Sequence, residues 1–330
     1  RVLGGLRDAL AQLLDRIMGS SHAPDASMLS RSYPIRQQEL LGREAAAEIG
    51  FDFDAGRLDV TPHPFCAEVG PRDVRLTTRY RDDDFSDAFF STLHEAGHGL
   101  YEQGLPADAY GLPTGVYASL GIHESQSRMW ENQVGRSRAF WQRFFPRAQE
   151  LFPEALGGVG LDTFYNAVNR VQSSLIRVDA DEATYNLHIF IRFELEQALL
   201  SGDLQAGDLP QAWDESYQRN LGVKPPHDAD GVLQDVHWSA GLIGYFPTYS
   251  LGNLYAAQFF AQAQIDLGDL DAAFRRGEFA PLLTWLRDKI HRHGRRYRAA
   301  ELVQQVTGEP LSHTAWIEQM SAKYGELYNL

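Results

Sequence analysis

The chain has 330 residues, 44% hydrophobic and 22% charged, which suits one large core or two domains. Its net charge of −14 repels nucleic acid and anionic membranes, so we expect neither as a partner. Cys66 is the single cysteine, which excludes an internal disulfide and a zinc site built from thiolates. No apolar run approaches the roughly 20 residues that cross a bilayer. A cytoplasmic protein fits this composition.

Most of the chain is predicted to be helical. Residues 3–19 carry leucines at i, i+3 and i+4 spacing, and the pattern stops at Gly19. Residues 36–50 repeat the pattern and end at Gly50. Three later stretches follow it as well: 181–200, 254–268 and 314–328. The sequence therefore predicts a mainly α fold.

One region breaks the helical pattern. Residues 57–65 and 72–80 alternate or carry β-branched residues, and turn-forming residues 68–73 lie between them. We predict two short strands here, directly before the next helix. Residues 222–231 predict a loop, and the basic run 288–298 predicts a solvated helix end.

The stretch 91–104, STLHEAGHGLYEQG, places His94 and His98 four residues apart, with Glu95 after the first. Residues i and i+4 lie on one face of a helix, so both imidazoles can reach a single ion. Asp82–Asp84 precede this helix, where its dipole favours negative charge. The residues predicted to pack into a core on the other side are Leu93, Ala96, Gly97, Leu100 and Tyr101. Taken alone, a five-residue pattern of this kind also arises by chance.

Glu95 would project beside the ion, which suits a general base that takes a proton from the attacking water. A catalytic zinc usually has three protein ligands and one open position. Glu124, which begins another helical stretch after His98, is our candidate for the third ligand. Its neighbour His123 competes, but adjacent residues on a helix point about 100° apart, so only one of them faces the ion. His123 would then support the ligands, face substrate or pack as an ordinary histidine.

Six motifs occur in the order HPF (63–65), DVRLT (73–77), HEAGH (94–98), HESQ (123–126), IRVDAD (176–181) and GVLQDVHW (231–238). In this combination the chain resembles the M32 metallocarboxypeptidases, the carboxypeptidase Taq family. The resemblance implies a helical gluzincin-type fold like that of neurolysin and angiotensin-converting enzyme. It has a deep groove, with a small sheet beside the active site, in a single domain over 1–330. The resemblance also implies one divalent metal, Zn²⁺ or Co²⁺, and a homodimer.

The resemblance begins at the family's midsection, and roughly the first third of the family's length is unmatched. In relatives that part forms one wall and the lid of the groove. The chain also begins without an initiator Met, so we expect an N-terminal segment to be missing, with any targeting signal. The chain is then either a fragment or a naturally short relative with a more open cleft.

The tetrahedral intermediate of peptide hydrolysis needs an oxyanion donor, and one preorganised donor is worth roughly 3 to 4 kcal/mol. Related gluzincins use a histidine and a tyrosine, so we predict His237 with one of Tyr245 or Tyr249. For the tyrosines the alternative is an ordinary aromatic cluster around Trp238 and Phe246.

A carboxypeptidase must also bind a free α-carboxylate, and arginine offers planar, bidentate donors for it. The family's corresponding motif favours Arg177, with Arg75 second, and ordinary pairing is the alternative for both. The strand 72–80 could add main-chain hydrogen bonds to an extended peptide. Asp181 and Asp235 are candidates to orient zinc histidines or substrate-facing groups. The remaining residues predicted to bind substrate are His63, Phe65, Asp73, Thr77, His123, Gln234 and Trp238.

We therefore expect a metal-dependent carboxypeptidase that releases single amino acids with broad preference from peptides with a free C-terminus. His94, His98 and Glu124 would hold the metal, and Glu95 would act as the base. Two alternatives stay open. One is a folded, metal-binding fragment of low activity, and the other is an endopeptidase or dipeptide-releasing enzyme with the same chemistry.

Overall fold

The computed structural model describes residues 2–330, which divide into two compact units. Unit 1 contains the described residues up to Ala23, Asn169–Leu251 and Ile317–Leu330. Unit 2 contains Pro24–Val168 and Gly252–Trp316. The mainly helical class is as predicted, and a single peptidase domain over the whole chain stays a prediction.

Helices account for most of the described residues. Their bounds are α1 Val2–Gly19, α2 Ile35–Glu48, α3 Ser86–Gly104, α4 Leu120–Arg128, α5 Arg138–Leu151, α6 Pro153–Leu156, α7 Leu161–Val168, α8 Tyr185–Ser201, α9 Leu209–Leu221, α10 Pro247–Leu267, α11 Leu270–Arg275, α12 Ala280–Lys289, α13 Ala299–Thr307 and α14 Thr314–Tyr328. A π-helical turn, Met129–Val134, continues α4. Within residues 2–330, every helix falls short of the length or the hydrophobicity of a bilayer span.

In unit 1, α1 buries the apolar side that its leucine spacing predicts, and it ends at Gly19 as predicted. Helices α8 and α9 are each followed by a glycine with positive φ, Gly202 and Gly222. Glycine adopts this left-handed conformation without a steric cost, so it terminates both helices. After Gly222 the chain forms no helix or strand until Pro247, which confirms the predicted loop and extends it.

Unit 2 contains a three-stranded sheet made of β1 Gly56–Val60, β2 Phe65–Gly70 and β3 Asp73–Thr78. The strand order is β1-β3-β2, with β1 parallel and β2 antiparallel to β3. The prediction of two strands was wrong, because residues 68–70 continue β2 and the turn is confined to residues 71–72. β2 escaped detection because its exposure does not alternate along the strand, so its sequence shows no period of two.

The central position of β3 contradicts one expectation about substrate. Both edges of β3 are already paired, with β1 along residues 74–78 and with β2 along residues 73–77. Its main chain therefore has no free edge for an extended peptide. In this sheet the unpaired edges belong to β1 and β2.

An aromatic cluster in unit 2 fixes the N-terminal half of α3. The rings of Phe85 and Phe89 stack with their centroids 5.6 Å apart, and Trp141 lies 5.1 Å from Phe89. Phe140 and Phe164 close the cluster against Trp141 at 5.4 and 4.7 Å. Because all five side chains are buried, this packing anchors the helix that carries the candidate metal ligands.

The basic run 288–298 is only partly a solvated helix end. Helix α12 ends at Lys289, and a 3-10 turn covers His291–Arg296. Arg292 and Arg295 are exposed as expected, but His291 is fully buried. The prediction was wrong at His291 because its ring packs against Tyr101, 4.9 Å away, and bonds to Gln126.

Candidate functional site

Helix α3 presents His94 and His98 on one face, as their spacing predicts. Asp84 accepts hydrogen bonds from the backbone N–H groups of Ser86 and Asp87 and so caps the helix. The opposite side of the helix is buried, including every residue expected there: Leu93, Ala96, Gly97, Leu100 and Tyr101. The capped and anchored helix holds both imidazoles in one orientation.

Two glycines let a neighbouring carboxylate approach these histidines. A Cβ atom on Gly97 would lie 2.6 Å from the carbonyl oxygen of Gln126, so α3 and α4 pack there backbone to backbone. A Cβ atom on Gly252, in α10, would lie 2.4 Å from Cγ of Glu124. Both distances are shorter than real Cβ contacts. The two positions therefore require glycine if Glu124 is to face α3.

Three side chains then converge in unit 2. Oε2 of Glu124 lies 3.7 Å from Nε2 of His94 and 3.5 Å from Nε2 of His98. One donor atom from each of the three lies within 4.8 Å of the others. Two ligands bound about 2.1 Å from one tetrahedral ion are about 3.4 Å apart, so the spacing fits such an ion. Two imidazoles and a carboxylate are also a donor set used for catalytic zinc.

Each ligand has a partner that fixes its orientation. Nδ1 of His94 lies 2.9 Å from Oε2 of Glu131, and Arg128 donates to Oε1 of Glu124 at 2.8 Å. Burial would raise the pKa of Glu124, but Arg128 and the two histidines hold it well below its usual range. The carboxylate is therefore ionised, as a metal ligand must be.

His98 has a different kind of partner. Its Nδ1 lies 2.5 Å from Nδ1 of His123, whose Nε2 lies 2.7 Å from Oε1 of Glu102. The ring of His123 also packs against the rings of Tyr101 and Tyr117, at 5.2 and 4.9 Å. The structure therefore places His123, predicted among the substrate-binding residues, against a metal-site histidine and a buried carboxylate.

Glu95 lies beside His94 on α3 and is only 7% exposed. Burial raises its pKa to about 7, although His94 pulls it in the opposite direction. A carboxyl group with a pKa near neutrality can accept and return a proton during a reaction. The role of Glu95 as the general base stays a prediction.

Five predicted residues lie on or near the sheet in unit 2. His63 and Phe65 are exposed. Arg75 forms a bidentate pair with Asp73 at 2.7 and 2.9 Å, and its side chain remains 38% exposed. Thr77 is buried, where its hydroxyl accepts from the N–H of Phe65. Of these five, Arg75 presents a guanidinium group at the surface.

The other predicted residues lie in unit 1, and several of them surround the carboxylate of Asp235. Asp235 accepts from Nε and Nη2 of Arg177 through Oδ1, at 3.0 and 2.8 Å, and from Arg192 through Oδ2 at 2.6 Å. Burial would raise its pKa, but the two guanidinium groups lower it to about 2. Gln234 accepts from the backbone N–H of Arg177 and from Arg192, at 2.9 and 2.8 Å.

His237 is held by this network and by aromatic rings. Its Nε2 lies 2.9 Å from the hydroxyl of Tyr249, and its Nδ1 lies 3.7 Å from Oδ1 of Asp235. Its ring packs on Phe246 at 4.5 Å and near Tyr245 at 5.2 Å. The predicted histidine and tyrosine are thus hydrogen-bonded to each other, and the pair involves Tyr249.

Trp238 and Asp181 have local partners. The indole N–H of Trp238 donates to Glu196 at 2.7 Å. Asp181 accepts from the backbone N–H groups of Gln172, Ala183 and Thr184 and from the Thr184 hydroxyl. These contacts stabilise the turn that leads into α8. A substrate role for either residue stays a prediction.

Sequence reasoning missed Glu131, Arg128, Glu102 and Arg192, each of which contacts a predicted residue. Three of them carried a usable signal. Arg128 and Glu131 follow Glu124 at i+4 and i+7, and Glu102 follows His98 at i+4, so each shares a helix face with a ligand. Arg192 had no such signal, because its partner Asp235 is 43 residues away.

The fold and the metal-binding group together define the class of protein. A mainly helical chain in which HEXXH histidines and a glutamate from the following helix converge is a gluzincin-type metallopeptidase fold. The family model described as carboxypeptidase Taq (M32) metallopeptidase matches residues 1–324. The chain belongs to this M32 family.

Several members of the family are similar to this chain. Thermostable carboxypeptidase 1 of Thermus thermophilus is 56% identical over 323 residues, which are 98% of this chain and 63% of that protein. Carboxypeptidase 1 of Bacillus subtilis is 43% identical and is covered to 65% of its length. The crystal structure of the M32 carboxypeptidase from Deinococcus radiodurans superposes with a TM-score of 0.96 at 48% identity; the match covers 100% of this chain and 66% of that one. The chain thus spans slightly less than two thirds of each of these relatives.

Proposed function

We propose that the chain is a metal-dependent carboxypeptidase that hydrolyses the C-terminal peptide bond and releases single amino acids with broad preference. The observation that carries this proposal is the convergence of His94, His98 and Glu124 beside the buried Glu95. Membership of the M32 family supports peptidase chemistry. The carboxypeptidase names of similar proteins support cleavage at the C-terminus.

The three converging side chains would hold one divalent cation, which we take to be Zn²⁺, with Co²⁺ as a substitute. The donor set supports this choice, because two imidazoles and a carboxylate suit zinc and leave one position open. When bound, such an ion acts as a Lewis acid that lowers the pKa of water and polarises a carbonyl group. The remaining steps depend on residues of the chain.

Glu95 acts as the general base. Its carboxylate takes a proton from the attacking water and later delivers it to the leaving amine. The pKa of about 7 that burial produces supports this double role, because the same group must accept and release a proton within one turnover. Positioned acid–base groups of this kind contribute about 10²- to 10⁴-fold in rate.

His237 and Tyr249 are the proposed donors to the oxyanion. Their mutual hydrogen bond of 2.9 Å and the packing of His237 on Phe246 support preorganisation, which such a donor requires. Tyr245 has a ring contact with His237 and is the alternative tyrosine. Gln234 and Asp235 brace the segment that carries His237 through their bonds to Arg192.

Arg177 and Arg75 are both candidate ligands for the free α-carboxylate of the substrate. Arg177 is buried and already engages Asp235 and Tyr185, so a carboxylate would have to share its guanidinium group with them. Arg75 is half-exposed and has Asp73 as its partner. Main-chain recognition of an extended peptide, if it occurs on this sheet, belongs to an unpaired edge and not to β3.

The proposal also covers the oligomeric state, the substrates, the cellular location and the remaining substrate-binding residues. The family resemblance supports a homodimer and peptide substrates, and the composition, with its single cysteine, supports a cytoplasmic location. His63, Phe65, Thr77, Trp238 and Asp181 stay candidates for substrate binding on the basis of the family resemblance.

The test is amino-acid release by the zinc-loaded chain from one peptide with a free C-terminus and from its C-terminal amide. We expect sequential release from the free acid alone. Glu95→Gln should retain zinc and lose about 10²- to 10⁴-fold in rate, because a general base contributes a rate enhancement of that size. Glu154→Gln, an exposed change of the same kind on α6, should keep full activity.

Other outcomes separate the alternatives. Internal cleavage of the amide would identify an endopeptidase. Zinc binding without release from either peptide would identify a weakly active fragment. Wild-type turnover in Glu95→Gln would refute the assignment of Glu95 as the base.

A further inference from the structure

The partner of His98 is unusual for a metal-binding histidine. Such histidines generally donate their second ring N–H to a carboxylate, a backbone carbonyl or water. His94 follows this rule through Glu131. His98 instead faces a second imidazole, His123, at 2.5 Å, and the carboxylate of Glu102 lies beyond that ring at 2.7 Å.

The order His98–His123–Glu102 determines which ring nitrogens of the two histidines carry protons. Oε1 of Glu102 lies 2.7 Å from Nε2 of His123, and a carboxylate oxygen accepts hydrogen bonds, so Nε2 of His123 is the donor of this pair. In a neutral imidazole the other nitrogen is then an acceptor, so Nδ1 of His123 accepts from Nδ1–H of His98. That tautomer of His98 leaves its Nε2 lone pair free, and Nε2 is the atom that faces Glu124.

We infer that Glu102 and His123 are positioning residues that fix His98 in the tautomer able to bind the metal. Glu102 acts through His123 and touches neither the metal ligands' donor atoms nor the reacting groups. This inference rests on the metal site and is independent of whether the chain hydrolyses peptides.

Burial of these three side chains favours one tautomer of His98 over the other. His98, His123 and Glu102 have side chains that are 17%, 13% and 8% exposed, so water is a poor substitute for either hydrogen bond. If Nδ1 of His98 lost its acceptor, the ring would be left with a buried, unsatisfied N–H, which costs about 1–3 kcal/mol. Moving the proton to Nε2 would relieve this cost and block the metal-binding atom.

The experiment measures zinc affinity by chelator competition for the full chain and three variants. His123→Phe removes the acceptor and should weaken zinc binding about 10- to 100-fold, the usual effect of removing such a partner. Glu102→Gln should also weaken binding, because an amide no longer requires the proton of His123 to lie on Nε2. If Glu102 acts through His123, the double variant should bind zinc no more weakly than His123→Phe alone.

A second readout reports the proton directly. In the metal-free protein at pH 8, nitrogen-15 NMR of the histidines should show the proton of His98 on Nδ1 and that of His123 on Nε2. In Glu102→Gln the share of His98 with its proton on Nε2 should rise. This measurement applies even if His123→Phe fails to fold.

His188→Phe is the matched control, because it replaces another buried histidine, in unit 1, with the same residue. Its zinc affinity should equal that of the wild type. The inference is overturned if the effects of His123→Phe and Glu102→Gln are additive, since Glu102 would then act by its charge alone. It is also overturned if folded His123→Phe binds zinc normally, or if His98 of the wild type carries its proton on Nε2.

Discussion

The metal-binding geometry depends on two residues that have no side chain. Gly97 lets α3 and α4 touch through their backbones, and Gly252 gives room to the side chain of Glu124. Histidine and glutamate are common residues, so the ligand types alone do not single out this site. The two glycine contacts are more restrictive, because neither leaves room for a Cβ atom. The donor spacing of 3.5 and 3.7 Å is therefore set by helix packing as much as by the donors.

Gly97→Ala should disrupt this packing. Its Cβ atom would lie 2.6 Å from the Gln126 carbonyl oxygen and from Cα of Ser127, and both atoms belong to the backbone. We expect a loss of about 1–3 kcal/mol in the free energy of unfolding, as for other overpacked sites, together with weaker zinc binding. Thermal denaturation and chelator competition measure the two effects.

Gly4→Ala in α1 provides the control, because a Cβ atom there meets nothing within 4 Å. That change should leave zinc affinity intact and stabilise the helix by roughly 0.5–1 kcal/mol. Equal behaviour of the two alanine variants would contradict the packing argument.

At the scale of single residues, the sequence predicts what helix geometry alone determines. His94 and His98 lie on one face because they are four residues apart. Glu124 is predicted instead from the place where gluzincin-type peptidases carry their third ligand. The sequence offers His123 as one support for the ligands, but its contact with Nδ1 of His98 could not be predicted, because it depends on how closely α3 and α4 pack. Glu102 shares a helix face with His98, but the two are connected only through His123, whose position depends on the tertiary fold.

At the scale of elements, the segment between α9 and α10 has no helix or strand of its own, yet it carries His237. Its position is set by Asp235, which bonds to Arg192 of α8 and to Arg177 of the short turn before that helix. Sequence periodicity describes this segment only as a loop. The anchors lie 43 and 58 residues away, beyond any local pattern.

Asp235→Asn should release this segment. The change leaves two buried guanidinium groups without their shared counter-ion, and breaking a buried pair in this way costs about 3–5 kcal/mol. We expect turnover to fall in the fraction that stays folded, while its zinc content is unchanged. Urea denaturation and metal analysis measure the two quantities.

Asp228→Asn is the comparison, because Asp228 lies on the same segment with an exposed side chain. It should change stability by no more than about 0.5 kcal/mol, as most surface changes do. A similar loss in both variants would show that the arginine contacts do not hold the segment.

At the scale of the whole molecule, each unit contains a fully buried histidine outside the metal ligands. Burial lowers the pKa of His188 in unit 1 well below its usual value, and it lowers that of His291 in unit 2 to about 3. The ring of His291 is therefore neutral in the folded chain at mildly acidic pH, and burial favours the neutral form of His188 in the same way. In the unfolded chain they titrate near their usual pKa of about 6.5.

This difference in pKa makes the free energy of unfolding decrease as the pH falls. Below about pH 6.5 the unfolded chain binds protons on these histidines that the folded chain does not bind. Stability is then complete above that pH and falls as the pH drops towards the folded pKa of about 3. Each histidine contributes a slope of about 1.4 kcal/mol per pH unit.

His291→Gln isolates one of these contributions. The variant should lose stability at neutral pH, but its free energy of unfolding should decline less steeply between pH 6 and pH 4.5, by about one proton. Denaturation in the presence of a chelator removes the effect of metal release. Parallel curves for the variant and the wild type would mean that His291 takes up a proton while folded.

The metal donors and the groups that orient them all belong to unit 2, whereas His237, Tyr249 and their braces belong to unit 1. A stoichiometric zinc content therefore reports on the metal-binding residues of unit 2 and gives no information about His237 and Tyr249. If His237 and Tyr249 act as proposed, a purification that selects for metal loading would retain chains that are damaged in unit 1 and have lost turnover. Substitutions that remove turnover but keep zinc would then occur at Glu95 in unit 2 as well as in unit 1.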